Sequence, residues 1–440
     1  MSATTLNQAG QLDETFATKG LSQIVVPKYS VSEITCVLVD TNGKIYFTGV
    51  SGNDNFFILA YFLGRLNPDG TPDNSYGSNG LVIGEIAGKV FYGRPSIHLQ
   101  SDGKIVWTGR SSSSVSFEAL TFARYDTDGK LDSGFGTDGY SNVDIDLAPP
   151  AGHTLSPVST TKEKKQPWST SRAGGSASPV TMEILPDGKI LACKVHDFDF
   201  KTAHSLIIRL NADGSLDLSL DQKGYIVVVH PDYPLGRTAL HGILVQADGK
   251  YVCSGSVRPE YTTTFALFTR HNPDGSLDSE FGANGFVTIN GRDPNIHYMV
   301  QQPNQRILGI GNMMSFPFSA VMTSIESNGT PNIQFNGGKL YYEEFVPGAL
   351  NGFNSGVRQP DGKIVVVGAI GKDFDNYDIT AARYIDANRD LTFNGVGWSR
   401  FHFGSGMQYA TTVALQDDGK ILVAGRNHDS SGFVLRLHAK

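Results

Sequence analysis

Residues 242–289 read GILVQADGKYVCSGSVRPEYTTTFALFTRHNPDGSLDSEFGANGFVTI, four short apolar runs separated by turn chemistry. Asp248-Gly249 between the first two runs is a strong hairpin signal, and a type I′ turn with positive φ at both central residues is expected there. The third run, Phe265 to Arg270, ends at Asn272-Pro273-Asp274-Gly275, where proline presets φ and glycine takes the left-handed position. The fourth run follows Phe281. Such a segment is a four-stranded antiparallel sheet.

The same pattern fills the chain. The first turn recurs as Asn42-Gly43-Lys44, Asp102-Gly103-Lys104, Asp187-Gly188-Lys189, Asp248-Gly249-Lys250, Asn304-Gln305-Arg306, Asp361-Gly362-Lys363 and Asp418-Gly419-Lys420. The second recurs at Gly10, Gly70, Gly129, Gly214, Gly275, Gly329 and, without glycine, Arg389. After it comes Phe16, Tyr76, Phe135, Leu220, Phe281, Phe335 or Phe393, a large side chain suited to packing between neighbouring sheets. The chain opens on a second-type turn with no first half and closes on Phe433 to Leu437, a third strand with no second half. Repetition of this kind predicts an all-β fold: a single seven-bladed β-propeller of four-stranded antiparallel blades over 1–440. Residues 1–30 would complete the last blade by pairing with the C-terminal strands, which removes exposed strand edges.

Charge is sparse and mildly acidic, 36 Lys plus Arg against 43 Asp plus Glu, with no basic stripe for nucleic acid. No apolar stretch reaches the length of about 18 residues that a membrane span needs. The chain enters the repeat by Leu6 without an apolar leader, so cytoplasmic residence or signal-less export is expected. Cys36, Cys193 and Cys253 lack metal-ligand spacing and are expected to behave as small buried apolar residues.

Two stretches carry a family resemblance. Gln359-Pro360-Asp361-Gly362-Lys363 with the strand Ile364 to Gly368, and Asn272 to Asp278, resemble the delta-60 repeat, a bacterial β-propeller repeat. The resemblance extends over essentially the whole chain. It departs in the fifth copy, at Gln302-Pro303-Asn304-Gln305-Arg306, and after the second copy, where the turn spacing lengthens. It implies the fold and a bacterial origin, but no shared chemistry, so function has to be sought at a site.

Both turns occupy one end of each sheet, and their uniformity makes that end structural. Recognition is expected at the other end, in loops of variable length and composition. Near the start of each first strand, aromatic and hydrogen-bonding residues accumulate: Tyr29, Phe91, Tyr92, Arg94, Tyr233, Arg237, Arg292, His297, Tyr298, Phe353 and Tyr409. Flat aromatic faces beside Arg and His suit sugar rings or acidic groups. An insertion over 143–180, rich in Ser, Thr, Pro and Gly, breaks the period; it is either a tolerated disordered loop or a functional one whose Trp168 covers a ligand or docks on a partner.

No metal or cofactor is implied. Asp126 to Asp132 and Asp386 to Asp390 resemble the start of calcium loops but lack the downstream bidentate Glu, and His196 and His204 lack zinc-ligand spacing. No catalytic motif is present. Three readings follow: a lectin-like, non-catalytic binding protein taking a glycan or protein surface on the variable face; an enzyme acting on a polysaccharide or small metabolite; and a scaffold in a bacterial assembly. Under the enzyme reading, His297, Tyr298, Arg237, Arg292 and Tyr233 would supply the constellation, Arg binding a carboxylate and His or Tyr moving a proton.

Overall fold

At the first turn of the quoted repeat, Gly249 N–H donates to Gln246 O (2.9 Å) and Gln246 N–H to Lys250 O (2.8 Å). Gly249 has φ of 81°, whereas Asp248 is not left-handed. The expected type I′ turn is therefore corrected to a type I bend followed by one left-handed residue. The reason lies in the aspartate, whose Oδ1 accepts the N–H of Lys250 at 3.1 Å and so closes the bend from a right-handed backbone. The same carboxylate bond recurs at Asp102, Asp187, Asp361 and Asp418. In the fifth copy the left-handed position falls to Gln305, at φ 63°, a conformation that favours glycine.

The computed structural model describes residues 8–53, 58–85, 90–114, 117–153, 181–199, 201–259, 263–373 and 376–440. Its chain divides into two compact units, 1–84 with 343–440, and 85–342. In the first unit, Val31–Val39, Ile45–Gly52, Ile58–Leu66 and Leu81–Gly84 form a four-stranded sheet. Leu350–Arg358, Ile364–Gly371 and Tyr377–Ile385 form a second sheet with Asn388–Arg389 and Trp398–Phe401. Its third sheet joins the chain ends: Leu21–Ile24 runs antiparallel to Gly432–Leu437, with Leu21 opposite Leu435.

In the second unit, Val90–Leu99, Ile105–Ser114, Phe117–Tyr125 and Tyr140–Val143 form one sheet, and a four-stranded sheet runs from Pro294–Gln301 to the boundary strand Tyr341–Glu343. Between them lies an eight-stranded sheet. Its halves, Met182–Ile184 to Tyr225–Val228 and Arg237–Val245 to Phe286–Ile289, join through one parallel bridge, Ala203 to Arg237.

The fold is all-β, of propeller type, with four-stranded antiparallel blades. The expected seven blades are corrected: five sheets of blade size, four of four strands and one of five, accompany the eight-stranded sheet among the described residues. Turn counting registers repeats, but hydrogen bonding decides where one sheet stops. The loop after Asp197 docks on the connection 229–236, Thr202 Oγ1 donating to Leu235 O (2.8 Å), and this brings two repeat edges into register. In the sixth copy the glycine-free turn at Arg389 adds the short strand Asn388–Arg389.

Side chains at the turn end lock the repeats. Phe16, Tyr76, Phe135, Leu220, Phe281, Phe335 and Phe393 are all buried. A Cβ on Gly70 would meet the Phe16 ring at 2.5 Å, and one on Gly275 would meet Leu220 at 2.5 Å, so the following copy's turn seats its glycine on this side chain. Beside it lies an ion triad. In the sixth copy, Arg383 Nε donates to Asp390 Oδ2 (2.8 Å), Lys363 Nζ reaches the same oxygen (3.0 Å), and the guanidinium stacks 5.0 Å over Phe393. The same set is Lys44, Arg65 and Asp73; Lys104, Arg124 and Asp132; Lys189, Arg209 and Asp217; and Lys250, Arg270 and Asp278. The last copy builds it from Lys420, Arg436 and the distant Asp13. Five of the arginines then donate onward, as Arg209 Nη1 to Pro273 O (2.6 Å) and Arg436 Nη1 to Pro68 O (2.9 Å). The fifth copy replaces the pair by neutral groups, Asn332 Nδ2 donating to Ser324 Oγ at 3.1 Å.

Burial would raise these carboxyls, but the bonds they accept outweigh it. Asp73 is held well below the usual carboxylate range by Lys44, Ser75 and Arg65, and Asp390 by Thr392, Lys363 and Arg383. Asp132 is lowered to about 2, chiefly by its hydrogen bond from Lys104.

Two predictions follow from the triad. Asp390 is 4 % and Arg383 3 % exposed, so Asp390→Asn strands a buried guanidinium and should cost about 3–5 kcal/mol in urea unfolding. Asn332→Ala removes only a neutral bond and should cost about 1 kcal/mol; equal losses would contradict the triad's role. The carboxyls also titrate lower in the folded than in the unfolded chain, where the ordinary value is 3.8. Protonation therefore favours unfolding, and the thermal midpoint should hold above about pH 4 and fall between about pH 4 and pH 2.

Candidate functional site

At the end of the second unit opposite the turns, the connection 229–236 bends sharply, Gly236 N–H donating to Tyr233 O (3.0 Å). This turns Tyr233 back over the sheet. Its ring stacks on buried His230 (4.8 Å between centroids, 24°) and runs parallel to Phe265 at 6.5 Å (7°). Arg237, two residues from the start of the sheet's docking contact at Leu235, ion-pairs with Asp197 and stands opposite Arg258 across the strands. The Arg258 guanidinium is lowered by burial and by Arg237 beside it. A half-buried tyrosine on the connection thus precedes Arg237, which faces a second guanidinium across the strands and one carboxylate.

Next to this platform, Phe198 is bordered by the rings of His153, His196 and His204 at 6.1, 4.9 and 5.0 Å. His153 Nε2 lies 3.1 Å from Asp199 Oδ2, and His204 Nε2 lies 3.1 Å from Pro234 O. Burial lowers the His196 imidazole. Among the described residues no three His, Cys, Asp or Glu side chains converge as a metal site.

A second polar group forms where the first strands of this unit's repeats come together. Thr181 Oγ1 donates to His241 O (2.5 Å) and lies 3.5 Å from Cys193 Sγ. The His241 imidazole is lowered well below its ordinary value by burial, then by Arg110, His297 and Arg237, and its Nδ1 has no partner. On the same strands His98 Nε2 stands 3.8 Å from Glu183 Oε2, and burial raises Glu183 to about 7.

Of the residues expected from sequence, Tyr233 and Arg237 meet at the platform, and His297 is buried within electrostatic reach of His241. Arg94 is buried, and Tyr298 is half-buried on Pro294–Gln301. Arg292 stacks on Tyr342 (4.2 Å), whose hydroxyl accepts the Arg292 N–H (2.7 Å). Tyr92 pairs through its backbone with Arg110, its side chain lying outside the described residues, as do residues 154–180 with Trp168. In the first unit, Tyr29 packs against the core, Phe353 is fully buried against Phe345 and Tyr384, and the Tyr409 hydroxyl donates to Glu33 Oε2 (2.7 Å). Sequence reading missed Arg110, His98, Glu183, His241 and Phe265. The first four sit inside strands rather than loops, and aligning the strands before the Asp-Gly-Lys turn would have placed His98 and Glu183 at one position.

Residues 100–135, 201–220 and 359–384 match the family described as "Domain of unknown function (DUF5122) beta-propeller". No curated protein matches the sequence. Among solved structures, a catalytically inactive virginiamycin B lyase from Staphylococcus aureus, with quinupristin, is similar at 11% identity and TM-score 0.47, over 95% of this chain and 99% of that one. A protein of unknown function from Dyadobacter fermentans is similar at 11% identity and TM-score 0.40, over 95% and 100%. An alpha-l-arabinofuranosidase from Fusarium graminearum, with an iminosugar inhibitor, is similar at 11% identity and TM-score 0.41, over 96% and 98%.

Burial pushes the Cys193 thiol up to about 11 and that of Cys253 well above its ordinary value. Thiolate is the reactive form, so at pH 8 Ellman's reagent should modify neither in the folded protein and both after denaturation. Rapid modification of two or more thiols without denaturant would contradict this burial.

Proposed function

We propose that the protein is a non-catalytic binding protein that recognises a glycan at the loop end of its second unit. The observation that carries this reading is the Tyr233 platform. One half-buried aromatic ring, held parallel to Phe265 and braced by His230, stands on the connection that leads into Arg237, which ion-pairs with Asp197. The apolar face of a sugar ring stacks on such a surface, while its hydroxyls take directional bonds from the adjoining guanidinium and carboxylate. The platform lies on a connection and at strand ends, where variation leaves the packed repeat intact.

Wild-type protein should show saturable binding on a glycan array that survives EDTA. Tyr233→Ala should weaken the best ligand by about 3- to 10-fold in calorimetry, as loss of one aromatic stacking contact implies, with the protein still folded at the assay temperature. Turnover of that glycan, or undiminished binding by Tyr233→Ala, would overturn the reading.

A further inference from the structure

Between the two halves of the eight-stranded sheet lies a cavity of 350 Å³. One wall is the run of four consecutive residues Ile226 to Val229; the other is His271, the second turn from Asp274 to Leu277, and Phe286. Successive side chains of a strand point to opposite faces, so four residues in a row border one cavity only along the backbone edge. That edge is open. Among the described residues Tyr225–Val228 pairs with Ala203–Leu210 alone, so half of its N–H and C=O groups face away from the sheet.

The second wall departs from the repeat. The residue after the first turn is isoleucine in all six other copies, from Ile45 to Ile421, and here it is Tyr251. At the end of the third strand the other copies carry leucine, isoleucine or tyrosine, as in Leu66 and Tyr384, and here it is His271. The two rings stack on each other at 5.5 Å (11°), both are buried, and the Tyr251 hydroxyl has no partner. Burying a hydroxyl without a hydrogen bond costs free energy, and breaches of local consistency concentrate at functional sites.

The chemistry of the lining is apolar within and acidic at the mouth. Ile226, Leu277 and Phe286 supply the apolar surface, and Val227 and Leu277 are exposed beside it. Exposed Asp274 accepts the Ser276 N–H (2.9 Å) and hydroxyl (2.7 Å) on Oδ1, and among the described residues it makes no ion pair. Asp221 meets only the exposed Lys223, at 3.3 Å.

We propose that this cavity binds an extended segment of a partner protein, which adds to the open edge of Tyr225–Val228, seats one apolar side chain against Phe286 and presents a lysine or arginine to Asp274. The open edge selects an extended chain, whose N–H and C=O groups fall in line with its own. The carboxylates select a basic one. Tyr233, Arg237 and Phe265 do not line the cavity, so the site does not rest on the glycan reading.

The probe is a fluorescein-labelled heptapeptide with blocked ends, Gly-Lys-Val-Leu-Val-Lys-Gly, titrated into the full chain at low salt and read by anisotropy. Saturable binding below about 1 mM is expected. Two N-methylated versions, one at both valines and one at the leucine and the second lysine, remove donors from opposite edges of the extended peptide. One of them should bind at least about 5-fold more weakly than the other, and glutamate in place of both lysines should also weaken binding. Asp274→Asn keeps the bond to Ser276 and should cost about 2- to 5-fold, the worth of one exposed charge pair. In hydrogen exchange of the wild type, the peptide should slow the amides of 225–229 and leave unchanged those of Leu81–Gly84, the corresponding strand of the first copy. That measurement decides the matter if the variant fails to fold. No saturation by about 1 mM, equal binding of the two methylated peptides or of the glutamate peptide, or unslowed exchange over 225–229 would overturn the proposal. So would displacement of the peptide by an equal concentration of isopentylamine, which marks a small-amine site, or self-association that the peptide reverses, which makes a second copy the occupant.

Discussion

One carboxylate shared between an arginine and a lysine ties the two turns of a repeat together. The aspartate comes from the second turn, the arginine from the strand before it, and the lysine from the first turn, as with Asp278, Arg270 and Lys250. Burying these charges costs free energy that a single pair does not always recover. Here the aspartate's other oxygen takes hydroxyl and backbone N–H groups from the residue two ahead, such as Ser219 or Thr392. The arginine's remaining donors reach the next copy's backbone and a ring face. The desolvated groups are therefore nearly all satisfied, and a change of one partner alone leaves another stranded, whereas the fifth copy changes arginine and aspartate together. The opposite end carries no such constraint, which leaves its loops free to differ.

That division explains why the arginines separate into two kinds. Those in the triads are fixed by the aspartate that the repeat supplies, and their positive charge is cancelled where it stands. Arg110 and Arg258 lie outside the pattern, on second strands where the repeat prescribes no aspartate. Arg258 crowds Arg237, which is partly offset by Asp197. Local charge at the candidate sites thus arises where the repeat's own electrostatics does not reach.

Much of the fold was legible because the repeat states it many times over. Four strands per copy, the position of each turn and the burial of Phe16, Phe135 and Phe393 follow from alternation and turn chemistry alone. Two features were not legible for physical reasons. The turn type depends on whether Asp248 bonds Lys250 N–H, a local competition that the dipeptide Asp-Gly does not decide. The joining of sheets depends on the docking of Thr202 against Leu235, a contact between loops with no periodic signature. At the site, Tyr233 and Arg237 were legible as unusual loop residues. His241 and Arg110 were not, because inside a strand a polar residue reads as one position of an alternation until neighbouring strands are set beside it.

Asp13 completes a triad with Arg436 across a sequence separation of 423 residues. Every other triad closes within a short stretch of chain, so most copies can consolidate soon after they are synthesised. The sheet that unites Leu21–Ile24 with Gly432–Leu437 must instead wait until the distant strand Gly432–Leu437 has been made. Until then Asp13 is a carboxylate without its cations and Phe16 an aromatic ring without its guanidinium. Long-range closure of this kind slows folding and prolongs exposure of unpaired strand edges, so the terminal sheet is the kinetic bottleneck of an otherwise locally assembled chain.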